Sequence, residues 1–243
     1  MKEWFDSWFD SNYYHLLYAN RDENEAADFV NHVISYLNLP EKSKILDIAC
    51  GKGRLSKVFA DNGFIVDGFD LSQNSISEAN KKAIPNASFY EHDMRRLFRT
   101  NYYDLAINFF TSFGYFKNER ENMLVAKAMA INIKKNGILM IDFVNKIPGI
   151  KNIENKKTEF VETTNIKFEV NRFFENNFFK KKIKVIDNNN EFIFEESLQS
   201  FTLQQFKTIF EPLGLQLINT FGNYNLEKYE EETSPRMIML FKK

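Results

Sequence analysis

Between residues 44 and 144, short apolar runs alternate with helix-forming stretches, and few architectures accommodate that rhythm. KILDIAC (44–50), FIVDGF (64–69), ASFYE (87–91), YDLAINFF (103–110) and ILMIDFV (138–144) are short and nearly continuous in apolar residues. Such runs read as strands covered on both faces. Between them, helices are predicted near 55–62, 73–82 and 122–135, the first closed by Asn62 and Gly63 and the last by Gly137. Strand–helix–strand units of this kind pair in parallel. The expectation is therefore an α/β fold built on a mainly parallel sheet with helices on both faces.

The flanks follow other periods. Ala26, Phe29, Val30, Val33, Ile34 and Leu37 mark one face of a leading helix over about 23–37, with Pro40 beyond its end. After Val144 the pattern alternates polar and apolar through EFVETT, KFEVNRFF, FFKKKIKVI and EFIFEE. That predicts three or four antiparallel strands over 157–197, with a polar turn at Asp187 to Asn190. About 40 residues rarely hold a core alone, so this is an antiparallel β insertion after strand five and not a separate domain. Thr202 and Gln205 form a capping box, with Phe201 and Phe206 as its staple, and strands near 215–220 and 237–241 close the chain. The reading is one domain over 1–243: a helical lid segment (1–40), a core (41–150), the insertion (157–197) and a closing helix and strands (198–243).

Composition narrows the function. The net charge is −1 and 44% of residues are hydrophobic, so the chain should fold, and a nucleic-acid partner is disfavoured. The single cysteine, Cys50, and the scattered His15, His32 and His92 offer no metal-ligand spacing, so no metal is expected. MKEWFDSWFD lacks the apolar stretch of a signal peptide, and no apolar run approaches ~18 residues, so a cytoplasmic protein with no membrane partner is expected.

The chemistry concentrates in LDIACGKG (46–53), at a predicted strand-to-helix turn. Gly51 and Gly53 let backbone approach a ligand closely, and the next helix begins there. Asp70 ends the following strand, where a carboxylate can accept from both hydroxyls of a ribose. A dinucleotide loop calls for a third glycine, and Ser56 stands in its place. Asp47 also precedes the turn. Its charge opposes a pyrophosphate and suits a ligand with an ammonium and a sulfonium. The cofactor indicated is S-adenosylmethionine, leaving as S-adenosylhomocysteine.

These residues resemble the class I S-adenosylmethionine-dependent methyltransferases, of the bacterial small-molecule type. The likeness rests on LDIACGKG, on Asp70 in VDGFDLS, on EHDM around Asp93, and on YDLAINFF. It implies a Rossmann-like seven-stranded sheet with one antiparallel strand. It also implies cofactor contacts from Ala49, Gly51 and Gly53 in the loop, from Asp70 on the ribose and Leu71 on adenine. Asp93 would accept from the adenine amino group, with Met94 beside it, and Phe109 would line the pocket. The segment YYHLLYANRD (13–22) resembles the Tyr-rich N-terminal helix of sugar-amine and glycine N-methyltransferase-like enzymes. There Tyr14 and Tyr18 would close over the cofactor, Arg21 would pair with its carboxylate, and the insertion would cover the acceptor or make a dimer contact.

The implied reaction is methyl transfer to a nitrogen or oxygen of a small-molecule acceptor. An oxygen acceptor needs a base, and His15 and Tyr115 are the catalytic candidates; Ser112 and Tyr115 are placed on the acceptor side. Each has a structural alternative. His15 fits a half-buried helix histidine, Tyr14 and Tyr18 fit core aromatics, and Arg21 fits a surface pair with Glu25. His92 is expected to point away from adenine, because strand neighbours face opposite ways. Cys50 is expected to pack beneath the loop, and the lysines at 180–184 to guard an edge strand. Competing functions are an RNA or protein methyltransferase, a nicotinamide-dependent Rossmann oxidoreductase and a non-catalytic cofactor-binding protein. A monomer or a homodimer satisfies the pattern equally.

Overall fold

The computed structural model describes residues 3–19, 23–155, 158–163 and 165–243. Helices α1 (Trp4–Trp8) and α2 (Asn12–Leu17) open the chain, and Ser11 caps α2 by accepting from the Tyr14 amide. Helix α3 (Glu23–Leu37) buries Ala26, Phe29, Val30 and Val33 completely, which is the face the sequence predicted.

Five strands and three helices follow: β1 (Lys44–Ile48), α4 (Arg54–Asp61), β2 (Ile65–Asp70), α5 (Gln73–Lys81), β3 (Ala87–Glu91), β4 (Tyr103–Asn108), α6 (Glu119–Asn132) and β5 (Ile133–Val144). After the insertion come α8 (Leu203–Phe210), β10 (Gln216–Phe221) and β11 (Arg236–Lys242). The seven-stranded sheet runs β3-β2-β1-β4-β5-β11-β10. Only β11 opposes its neighbours β5 and β10. This is the Rossmann-like, mainly parallel sheet expected. Alternate residues feed two cores: Ile45, Leu105 and Ile107 on one face, Leu46, Ile48 and Ala106 on the other. Chain order reverses at β1, between β2 and β4, so a crevice opens at the carboxyl ends of these strands.

Two boundaries differ from the expectation. The helix over 122–135 is instead Glu119–Asn132, capped by the Asn118 side chain, and β5 starts at Ile133 and not at 138. Ile133 pairs with Tyr103, and the register then slips before Leu105 meets Ile138. A Cβ on Gly137 would fall 2.5 Å from Ile133, so glycine permits this irregular strand. Helix α7 (Lys146–Asn155) forms where no element was expected. Pro148 argues against a helix interior, but it lies in the first turn, where its missing N–H costs nothing.

The insertion is a four-stranded meander, β6 (Thr158–Thr163), β7 (Ile166–Glu175), β8 (Phe178–Asp187) and β9 (Asn190–Gln199), each antiparallel to the next. Asn176 and Asn177 (φ +50° and +66°) make the β7–β8 turn, and Asn188 and Asn189 (φ +48° and +65°) the β8–β9 turn. Paired left-handed residues give the hairpin twist, and asparagine tolerates them. Its inner face buries Phe168, Val170, Ile183 and Val185 against Trp8. The lysines at 180–184 do not guard an edge: β8 is paired on both sides. They are tolerated there because Lys180, Lys181 and Lys184 have carboxylate partners in Glu175, Glu196 and Glu191. The predicted capping box holds at α8, where the Thr202 amide donates to Gln205 and the Gln205 amide to Thr202.

Candidate active site

The turn after β1 is left-handed at Ala49, Gly51 and Gly53 (φ +62°, +55° and +72°). The two glycines serve different ends. A Cβ on Gly51 would meet nothing within 4 Å, because this residue faces open space. A Cβ on Gly53 would lie 2.6 Å from the Phe89 ring, so Gly53 is required by the packing of Phe89 beneath the turn. Cys50 packs beneath the turn against Gly68, and burial pushes its thiol well above the usual range, so it is no thiolate nucleophile.

Asp70 stands beside this turn. Its Oδ2 accepts from the Gly51 amide at 2.8 Å and its Oδ1 from the Ser72 amide at 2.9 Å. Burial raises its pKa, and those two amides oppose the rise. Asp47 is 2% exposed and accepts from the Ser56 hydroxyl at 2.6 Å. Ser56, at the missing third glycine, is thus the partner that makes a buried carboxylate tolerable. Burial still lifts Asp47 to about 6.

A cavity of about 460 Å³ opens over these groups, within the usual size of small-molecule sites. Asp47, Ala49, Gly51, Asp70, Leu71, Asp93, Met94 and Phe109 line it. Asp93 does so with its carboxylate held: Arg95 donates to it from the backbone amide, Nε and Nη2, and also reaches Glu121. Those bonds hold Asp93 below its ordinary pKa although burial opposes them. His92 does not turn away. It lines the cavity too, because β3 ends at Glu91 and strand alternation no longer applies at residue 92. Arg21 lies outside the described residues.

The N-terminal segment closes the cavity. Phe5, Phe9, Tyr14, His15 and Tyr18 line it. Asp10 Oδ1 accepts from the Ser72 hydroxyl at 2.7 Å and the Asn74 amide at 3.1 Å, which ties the strap to the loop carrying Asp70. At its other side, Glu196 accepts from Trp8 Nε1, Tyr18 Oη and Lys181 Nζ, each at 2.8 Å. The sequence reading missed Phe5, Phe9 and Glu196. The aromatics of MKEWFDSWFD were visible; Glu196 carried no local signal.

Residues 45–137 match the family model of a methyltransferase domain. The matched stretch, 93 of the chain's 243 residues, contains the turn after β1 and Asp70. It is 29% identical over 136 residues to dTDP-3-amino-3,4,6-trideoxy-alpha-D-glucopyranose N,N-dimethyltransferase of Streptomyces venezuelae, a match covering 53% of this chain and 54% of the relative. In each curated relative matched, the shared stretch spans about half of the relative's length. Among solved structures, an S-adenosylmethionine-dependent methyltransferase from Clostridium acetobutylicum superposes with a TM-score of 0.79 at 20% identity, covering 95% of both chains. S-adenosylmethionine-bound CalS10, an amino pentose methyltransferase from Micromonospora echinaspora, superposes at 0.68 with 17% identity, covering 96% of this chain and 97% of its own. Among the described residues no helix is long and apolar enough to cross a membrane, and no cluster of metal-ligating side chains occurs.

A second cavity of about 250 Å³ adjoins the first and shares Phe9, Tyr14, Tyr18, Phe110 and Tyr115 with it. Its far wall is α7 and the insertion sheet, through Gly149, Asn152, Arg172, Phe179, Lys181 and Glu196. Tyr115 is wedged edge-on against Trp4 and Phe9, and burial pushes its phenol far above the usual range. A neutral phenol of that kind is a poor proton acceptor, which weighs against Tyr115 as a base. His15 lines the first cavity beside Tyr14. The Ser112 hydroxyl donates to the Phe109 carbonyl at 3.2 Å.

Proposed function

We propose that this protein transfers the methyl group of S-adenosylmethionine to a nitrogen of a small-molecule acceptor. The observation that carries the proposal is Asp70, held to the Gly51 amide beside an open cavity that continues into a second one. The named activity of the sugar N,N-dimethyltransferase relative supports nitrogen as the acceptor atom.

Bound S-adenosylmethionine supplies a methyl on positively charged sulfur, so an N–CH3 bond forms as the S–CH3 bond breaks. The chain's own residues then have modest tasks. Asp70 would bind the ribose hydroxyls through its remaining lone pairs. Gly51 leaves room for the methionine part, and Asp47, largely ionised at neutral pH, would sit opposite its positive charge. Leu71, Met94 and His92 would enclose the adenine, with Asp93 fixed by Arg95 at its edge. Phe9, Tyr14, Phe110 and Tyr115 line both cavities where they meet, and ring faces there would favour a cationic sulfur. A neutral amine needs no strong base, which agrees with the raised phenol of Tyr115. Orienting two reactants at about 3 Å is the main source of acceleration.

Melting in the presence of S-adenosylhomocysteine, S-adenosylmethionine and NADH tests this. Ligand at about 100 times its Kd stabilises by ~2.7 kcal/mol. For a chain of this size that is a shift of roughly 5–10 °C. A shift with NADH alone would overturn the reading.

A further inference from the structure

In the insertion, Arg172 of β7 stands directly opposite Lys181 of β8, which stands opposite Glu196 of β9. Directly opposed residues share one face of a sheet, so these three side chains form a charged row. The neighbouring rows on that face are Val170, Ile183 and Phe194, with Glu159 of β6 opposite Val170, on one side, and Phe174, Phe179 and Leu198 on the other. Two cations opposed across a ladder repel each other.

All three residues line the second cavity. Lys181 is neutralised by Glu196 and donates to Tyr18 Oη at 2.6 Å. Arg172 meets Glu159 of the edge strand through Nη2. Its Nη1 is shielded from solvent and has no hydrogen-bond partner among the described residues. Glu159 does not line the cavity, so the lining holds three cationic residues, Arg172, Lys180 and Lys181, and one carboxylate, Glu196. A guanidinium with one Nη uncommitted at a half-buried wall can donate to an oxygen of a carboxylate or phosphate. At about 250 Å³ the space lies below the ~300–1,000 Å³ of ordinary ligand sites, room for one sugar ring or a short amino acid.

We propose that the acceptor is a compact amine carrying one terminal anionic group, held by Arg172 and Lys181 at the insertion end while its nitrogen lies at the wall shared with the first cavity. This rests on the methyltransferase reading and names the class of substrate that site takes. A nucleotide-linked amino sugar is excluded by it, since its anionic groups lead onward to a bulky nucleoside.

The test is calorimetric titration of the full chain saturated with S-adenosylhomocysteine. The probes are glucosamine, glucosamine phosphate, β-alanine and UDP-glucosamine. Glucosamine phosphate or β-alanine should bind at least ~10-fold more tightly than glucosamine. Which of the two does so distinguishes phosphate from carboxylate. Arg172→Met should abolish that advantage and Lys181→Met should reduce it, with affinity for S-adenosylhomocysteine retained in Arg172→Met as the check on folding. Equal binding of glucosamine, tighter binding of UDP-glucosamine, failure of both charged amines, or an advantage that survives in both variants would each overturn the proposal. Failure of S-adenosylhomocysteine itself to bind would instead refute the methyltransferase reading.

Discussion

Asp70→Ala is the sharpest perturbation of the candidate site. The carboxylate accepts from the Gly51 and Ser72 amides at 2.8 and 2.9 Å, so it organises the turn as well as facing the cavity. Each hydrogen bond to a charged group is worth ~1.5–3 kcal/mol. Losing a single such bond to the ribose costs roughly 10–150-fold in affinity. Alanine also frees both backbone amides, which loosens the left-handed turn that shapes the cradle. Asp70→Asn separates these effects. Its one carbonyl oxygen can serve only one of the two amides, and its NH2 then opposes the other, so it should lose affinity while keeping much of the packing. The assay is isothermal titration of S-adenosylhomocysteine at neutral pH, with thermal melting to confirm a cooperative fold. Affinity of Asp70→Ala within roughly twofold of the parent would refute the placement of a ribose at this carboxylate.

Asp47 makes stability depend on pH. Its folded pKa is raised to about 6 from 3.8, so the folded state holds a proton that the unfolded state has lost. Stability should therefore fall by about 3 kcal/mol as pH rises between about 4 and 6. Urea melts of the parent against Asp47→Asn should show that difference, and parallel pH profiles would contradict it. Gly53→Ala should destabilise by roughly 1–3 kcal/mol, because φ is +72° and the new Cβ would fall 2.6 Å from Phe89. Chemical denaturation checks this, and an unchanged midpoint would mean that Phe89 moves freely. Glu196→Gln should cost about 2–4 kcal/mol, since it leaves Lys181 without its carboxylate and weakens the hold on Trp8 and Tyr18. Limited proteolysis should then cut the N-terminal strap faster and S-adenosylhomocysteine should dissociate faster; unchanged rates of both would show that the strap is held elsewhere.

Local chemistry was enough to read the parallel core. Continuous apolar strands, capped amphipathic helices and a glycine turn followed by a carboxylate each report on backbone within a few residues, and those signals survive folding unchanged. Ala49, Gly51, Asp70, Leu71, Met94 and Phe109 gather around one cavity because they sit at strand ends on one edge of the sheet. Contacts between distant segments left no such trace. The pairing of Ile133 with Tyr103 overrode helix propensity, and the flanking of β8 by β7 and β9 turned lysines that look like edge guards into an interior strand. Glu196 gained its role only when Trp8, Tyr18 and Lys181, far apart in the chain, converged on one buried carboxylate. Periodicity tells which face of an element is apolar, whereas burial of charge is decided by partners from elsewhere, and only the folded chain supplies them.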